Sequence, residues 1–231
     1  MRLKIPKDKA FSMNICVIPL GPVQSNMYLV EIQDAFFIVD PSCPPDSIRG
    51  GIKELFEKNG PAAVFVTHGH FDHMFYMEEW KEKYPDSPVY MSVKDRPLLA
   101  RASANCSDLT FRGRAFKDVT TDITAVDGRF ITGDEAGGVR TAVYSTPGHT
   151  SGSVSVLFEE YEDGKVVDKA LFTGDALFCG SVGRCDFETG SEEQMMASVA
   201  FFATLPKDLK VYPGHGPATD IGFEISHNPF F

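Results

Sequence analysis

"VTHGHFDHMF", residues 66–75, holds three of the chain's six histidines within six residues, with an aspartate among them. His68, His70, Asp72 and His73 can each offer a lone pair to a metal ion at about 2 Å. The run before them, "AAVFVTH", is continuously apolar, as a strand buried on both faces should be. Ligands at the end of such a strand sit on a rigid support. Gly69 frees the backbone to turn between His68 and His70, so these two can converge on one point. Asp72 and His73 are adjacent and face a second point a few ångströms away.

Three more segments supply partners. "STPGHTSGSV" carries His149 after the strand-like "VRTAVYST", "LFTGDALF" carries Asp175 after "KALFTG", and "VYPGHGP" carries His215 after "LKVY". Each is a lone ligand type beside a glycine at a strand end. Taken singly, His149 or His215 reads as an ordinary satisfied polar residue, and Asp175 as a turn or cap residue. Together, five of six histidines occupy equivalent contexts, which packing does not explain. Only His227 stands apart. The serines of "TSGS" read as turn residues, so no separate nucleophile is required.

The 231 residues suit one large domain or two small ones, and 43% hydrophobic content with 19 phenylalanines supports a sizeable core. We read residues 1–231 as a single domain, since no linker, repeat or low-complexity tract divides them. The formal charge of −10, from 32 acidic and 22 basic residues, argues against nucleic acid as a partner. The five cysteines are odd in number, widely spaced and without a CxxC pair, so neither a disulfide framework nor a zinc ribbon is expected. Asn14 and Pro19 interrupt the apolar stretch near the start, and no cleavage-type site follows. No run is long enough to span a bilayer. These features predict a cytoplasmic protein with no membrane partner.

Along the chain, "MNICVIPL", "NMYLVEI" and "AFFIVD" predict three strands separated by turn residues. "DSIRGGIKELFEKNG" places Ile48, Ile52, Leu55 and Phe56 at helical spacing, with Gly60 as a stop. "AAVFVTH" predicts a strand, "MFYMEEWKEKYP" a helix and "PVYMSV" a strand, so the middle alternates β and α. Residues 101–124 lack periodicity and predict an irregular insert, a candidate substrate-covering loop. Strands return at "GRFIT", "VRTAVYST", "SVSVLFEE" and "KALFTGD". Ser191, with Glu193 behind it, signals a helix start in "SEEQMMASVAFFATLP", and "KVYPGHGP" ends in a last strand. The order predicts an α/β protein: two antiparallel-rich sheets with outer helices in four layers.

In order, "THGHFDH", "TPGHTSGS", "FTGDALF" and "YPGHGP" resemble the metallo-β-lactamase superfamily, from about residue 14 to the end. "PLGPVQSNMYLVE", "GSVGRCDFETGS" and "PGHGPATDIGFEISHNPFF" are most similar to its short glyoxalase II-like (hydroxyacylglutathione hydrolase-like) members, which lack the extra C-terminal helical domain. The resemblance implies a four-layer αββα sandwich with metals at one sheet edge. It implies His68, His70 and His149 on one metal, Asp72, His73 and His215 on a second, and Asp175 bridging both. Seven N/O donors without a thiolate suit two divalent ions, zinc first, with iron or manganese as alternatives. Two-zinc β-lactamases typically carry Cys where Asp175 stands, so antibiotic hydrolysis is not expected. The implied activity is thioester hydrolysis, S-lactoylglutathione being the model small-molecule substrate, with Asp72 both ligand and orienter of a metal-bridging hydroxide.

Two alternatives stand beside it: a mononuclear iron persulfide dioxygenase of the same superfamily, suggested by "GDALF" followed by "GRCDF", and a non-catalytic metal-binding module. Arg112, Arg114 and Lys117 are expected on a charged surface loop. Arg184 is expected to tie its loop to a carboxylate such as Asp186.

Overall fold

The computed structural model describes residues 13–20, 23–33, 35–48, 60–109, 113–126, 128–130 and 138–231. Six strands form one sheet in chain order: β1 (Asn14–Leu20), β2 (Ser25–Ile32), β3 (Ala35–Val39), β4 (Ala63–Phe65), β5 (Val89–Met91) and β6 (Thr121–Asp122). β1 to β3 pair antiparallel, and β3 to β6 pair parallel. The second sheet comprises β7 (Gly128–Phe130), β8 (Gly138–Ser145), β9 (Val154–Glu162), β10 (Lys165–Gly174), β11 (Lys210–Pro213) and β12 (Thr219–Asp220). Its order is β12-β11-β10-β9-β8-β7, antiparallel except between β10 and β11.

Period-two alternation divides the apolar residues between layers. In β2, Met27 and Leu29 face outward toward Met74, Met77 and Trp80 of the short helices α1 (Phe71–Met74) and α2 (Met77–Lys83). Tyr28, Val30 and Ile32 face the other sheet, where Val156, Phe158, Ala170 and Phe172 meet them. A four-residue helix, α3 (Arg96–Leu99), precedes the insert. The outward residues Leu157, Leu171 and Val211 of the second sheet pack under Phe202 of α4 (Glu192–Phe202) and Ile221 of α5 (Ile221–His227). The layers therefore run helix, sheet, sheet, helix, as the sequence predicts.

Local signals explain several boundaries. Ser191 caps α4 by accepting from the Gln194 amide at 3.3 Å, and Asp220 caps α5 by accepting from the Phe223 amide at 2.9 Å. The strand expected over "AAVFVTH" is shorter, because Thr67 leaves the first sheet. Its amide donates to Asp40 Oδ1 at 2.8 Å, and its carbonyl accepts from Val154 of the second sheet at 3.0 Å. The 101–124 insert is less irregular than expected: Thr121 and Asp122 extend the first sheet, and buried Asn105 pins the turn by donating to Arg114 O at 2.9 Å. Most of the helix expected over residues 46–60 lies outside the described residues, and Pro45–Ser47 forms one 3₁₀ turn. Among the described residues no helix is long and apolar enough to cross a membrane.

Phe158 is fully buried at the centre of the inter-sheet layer, with ring centroids 5.1 Å from Phe37, 5.4 Å from Phe65 and 5.6 Å from Phe172. Replacing it by alanine should cost about 3–5 kcal/mol. Urea unfolding of Phe158→Ala against the parent measures this, and a loss below ~1 kcal/mol would contradict the packing described.

Candidate metal centre

The ends of four strands meet at one edge of the sandwich. Past β4 come His68, His70 at the N-terminus of α1, and Asp72 and His73 within it; past β8 comes His149, past β10 Asp175, past β11 His215. All seven sequence-predicted residues converge. Three groups have donor atoms within 4.8 Å of one another: His68 with His70 and His149; Asp72 with His73 and His215; and His68 with His73 and Asp175.

The second group has the spacing a small cation requires. Donors about 2.0–2.1 Å from a tetrahedral ion lie about 3.3–3.4 Å apart. His73 Nε2 is 3.3 Å from Asp72 Oδ2 and 3.3 Å from His215 Nε2, and His215 Nε2 is 3.3 Å from Asp72 Oδ2. Asp175 reaches both groups: Oδ1 is 3.4 Å from His73 Nε2, and Oδ2 is 3.5 Å from both His215 Nε2 and His149 Nε2. In the first group, His70 Nδ1 and His149 Nε2 are 2.8 Å apart, somewhat closer than such an edge. His68 Nε2 and Asp175 Oδ1 are buried and have no hydrogen-bond partner among the described residues. Buried polar atoms are nearly always satisfied, so two orphans aimed into a ring of imidazoles and carboxylates fit a pair of ions. Gly214 leaves the room, since a β-carbon there would collide with Asp175 Oδ1 and the His73 ring.

The ring nitrogens turned away from the centre are held from behind, which fixes tautomer and orientation. His73 Nδ1 donates to Asp40 Oδ2 at 2.8 Å, His149 Nδ1 to Arg184 O at 2.8 Å and His215 Nδ1 to Val23 O at 3.1 Å. His68 Nδ1 lies 3.1 Å from Thr67 Oγ1, which donates to Asp40 at 2.9 Å. One buried carboxylate thus orients ligands on both sides of the centre. A second, Asp95, joins two ligand loops by accepting from Gly69 N at 2.9 Å, Gly152 N at 2.7 Å and Thr150 Oγ1 at 2.6 Å.

Sequence reasoning misses Asp40 and Asp95. The one available signal is the acidic end of the apolar "AFFIVD", where Asp40 adopts φ 55°. It misses Asn26 and Tyr28 as well. They anchor the His215 turn, with the Tyr28 hydroxyl donating to Pro213 O at 2.6 Å and Asn26 Nδ2 to Gly216 O at 2.9 Å.

Of the other expectations, Arg184 donates twice to Asp186, at 2.5 and 2.6 Å, and Arg114 pairs with Glu78 at 3.2 Å. The Lys117 amide donates to the same Glu78, and Arg112 lies outside the described residues. Ser153 accepts from the Thr150 amide within its turn, as the turn reading of "TSGS" requires.

Burial pushes His68 well below the ordinary histidine range, and its four imidazole neighbours push the same way. Burial, with His149 adding to it, takes His70 down to about 3. Burial also opposes charge on His73, yet Asp72, Asp175 and Asp40 outweigh it and hold His73 well above the usual value. Burial opposes charge on His215 too, and Asp72 and Asp175 outweigh it and raise His215 above the usual value. Burial would raise the Asp72 carboxyl, but His73 and His215 hold it well below the carboxylate range. Metal-free, the carboxylates thus bias His73 and His215 toward their charged forms, so an ion competes with protons there.

The metallo-β-lactamase superfamily model matches residues 20–215. The chain is 35% identical to the probable metallo-hydrolase YqgX of Bacillus subtilis, covering 92% of this chain and 95% of YqgX. It is 29% identical to the hydroxyacylglutathione hydrolase GloC of Haemophilus influenzae, over 94% and 98%. Among solved structures it is similar to the BLEG-1 B3 metallo-β-lactamase, with TM-score 0.73, 32% identity and coverage of 94% and 99%. It is also similar to TTHA1623 in a di-iron-bound form, with TM-score 0.69, 30% identity and coverage of 94% and 100%.

This geometry can be tested by metal titration. Zinc should saturate near two equivalents, release protons at neutral pH, and bind more weakly as the medium is acidified through the histidine range, since His73 and His215 must deprotonate. Binding of a single ion without proton release would contradict the arrangement. Asp40→Asn removes the charge behind His73 and Thr67 while keeping its shape, and should lower metal affinity about 10–100-fold, most at the position that His73 serves. Competition with a chelator of known affinity reads this, and unchanged affinity would remove Asp40 from the site.

With strand ends from both sheets converging on a two-metal site of His and Asp donors, and the superfamily model spanning most of its length, the chain belongs to the metallo-β-lactamase superfamily.

Proposed function

We propose that the chain is a two-metal thioester hydrolase acting on small acyl thioesters. The observation that carries this reading is the set of seven N/O donors around one cleft, with buried His68 Nε2 and Asp175 Oδ1 lacking a hydrogen-bond partner among the described residues. His68, His70 and His149 would hold one divalent ion, Asp72, His73 and His215 the other, and Asp175 would serve both. Bound ions of this kind supply a hydroxide nucleophile at neutral pH and Lewis-acid stabilisation of a developing oxyanion.

The protein's own part is positioning. Asp72 stays ionised under the charge of His73 and His215, and its carbonyl accepts from Ser25 Oγ at 2.8 Å, which fixes the turn that carries it. We assign Asp72 the orientation of the attacking group. The cleft over the site is about 370 Å³, and Val23, Phe71, Leu109, Phe178 and Phe187 give it apolar walls. Such walls hold an acyl chain and limit water. A thiolate leaves without a strong general acid, which suits a cleft whose polar groups are mostly committed to the metal positions. The likeness to GloC supports a thioester, with S-lactoylglutathione as the first substrate to try.

The likeness to BLEG-1 favours a second reading, β-lactam hydrolysis. One panel separates the two. We expect S-lactoylglutathione and simple acetyl thioesters to be hydrolysed, penicillins and cephalosporins to be poor, and activity to vanish with chelator and return with Zn, Mn or Fe. Asp72→Ala should lower kcat by on the order of 10²-fold. A fully metallated protein inert on every thioester, yet active on β-lactams or consuming oxygen with persulfides, would overturn the proposal.

A further inference from the structure

Gly183 and Arg184 line two adjoining hollows. One is the metal cleft; the other is a larger groove of about 630 Å³. Val182, Met195 and Met196 line the groove together with Phe230 near the C-terminus. Met196 and Phe230 are 47% and 41% exposed, so an apolar surface lies open beside the reaction site. The core needs neither: α4 packs inward through Met195, Val199 and Phe202.

The charges around this path are all of one kind or already paired. Among the described residues, the cleft and the groove contain one cation, Arg184. Its guanidinium donates twice to Asp186 and lies over the Phe187 ring, 4.7 Å from the centroid. Phe187 in turn packs against His70 and His149, with centroids at 4.7 and 5.4 Å, so moving Arg184 toward a ligand would disturb the wall of the metal cleft. Nearby Arg101 is likewise spent on Glu188, with hydrogen bonds of 2.6 and 3.1 Å. Glu192 adds negative charge to the groove itself. A thiol carrier with two carboxylates would meet acidic groups here and no free cation. An uncharged arm with apolar branches would meet two methionines and a phenylalanine.

We propose that the groove between α4 and the C-terminal residues holds the carrier arm of the thioester, and that this arm is uncharged and extended, of the pantetheine type, in preference to an anionic tripeptide such as glutathione. This rests on the thioesterase reading and adds its carrier specificity. The thioester would lie over the metal cleft and the arm would enter the adjoining groove. Because Gly183 and Arg184 line both spaces, the groove lies within reach of a substrate held at the metal cleft, which favours a substrate arm over a second copy of the chain as the occupant.

The test compares three substrates with the same acetyl group on the metal-loaded protein: S-acetylpantetheine, S-acetylglutathione and the short-armed S-acetyl-N-acetylcysteamine. The pantetheine thioester should exceed the other two in kcat/KM by at least about tenfold, mainly through KM, the scale on which an apolar pocket distinguishes substrates by a methylene or so. Met196→Glu, at an exposed position where folding is not at stake, should collapse the ratio of long-arm to short-arm kcat/KM toward one, while Met196→Leu keeps it. Independently of turnover, S-methylpantetheine should shift the Met195 and Met196 methyl resonances, and S-methylglutathione should not. Preference for the glutathione thioester, absence of those shifts, or a Met196→Glu variant that changes sedimentation but keeps the substrate ratio (a second copy in the groove) would each overturn the inference. Methyl shifts without hydrolysis of any thioester would instead support the groove and sink the thioesterase reading.

Discussion

Five imidazoles and two carboxylates gathered at one sheet edge form an arrangement that a protein interior does not tolerate by itself. Burial disfavours each charge, and the imidazoles repel one another once protonated. The opposite shifts of His68 and His73 show the conflict: one is driven toward neutrality by burial and by its imidazole neighbours, and the other is pushed toward the charged form, against burial, by three carboxylates. Cations placed among these donors satisfy both demands, since they neutralise the carboxylates and fill the lone pairs of the neutral rings. Much of the remaining structure can be understood as holding this cluster in place.

The two sheets do so differently. The first contributes four donors from one short segment, and it can because Thr67 leaves its strand to bond to Asp40 and to Val154 of the opposite sheet. The second contributes single residues from three separate strand ends, His149, Asp175 and His215. Asp95 ties the His149 turn to the first segment, and Asn26 and Tyr28 tie the His215 turn to β2. Glu224 of α5 is fully buried and accepts from Thr219 Oγ1 at 2.6 Å, Gly180 N at 2.9 Å and Asn228 Nδ2 at 2.7 Å. The last helix thereby supports the loop that leads from Asp175 to Arg184. These tethers cross between elements far apart in sequence, which is why the site depends on the whole sandwich.

That distribution also explains what is legible in the sequence alone. The ligands are legible because histidine is rare in this chain, four of six copies sit beside glycine at strand ends, and a fifth, His73, follows His70 by three residues. The strands of the layers are legible because β2, β3, β9 and β10 contain short runs rich in β-branched and aromatic residues, buried as blocks as strands covered on both faces should be. The supporting carboxylates are not: Asp40, Asp95 and Glu224 are three among 32 acidic residues, and their roles come from partners that only the fold brings near. β4 and β5 are legible as strands in "AAVFVTH" and "PVYMSV", but the expectation of antiparallel-rich sheets misses that β3 to β6 pair parallel, because strands of three residues or fewer show no pairing direction in sequence. β6 is hidden inside a polar insert, where pairing with Tyr90 and Met91 overrides weak local preference.

What the family fixes is separable from what is particular to this chain. The donors and their tethers use up nearly every polar group at the sheet edge, so they leave little to choose a substrate with. Discrimination must come from residues that the centre does not consume. Here those are the apolar cleft walls and the groove beyond Gly183, while Arg184, the cation that the cleft and groove share, is committed to Asp186 and Phe187. On the proposed reading the groove would select a carrier arm by shape and by the absence of charge, because an anionic arm there would lose water and, among the described residues, meet no uncommitted cation.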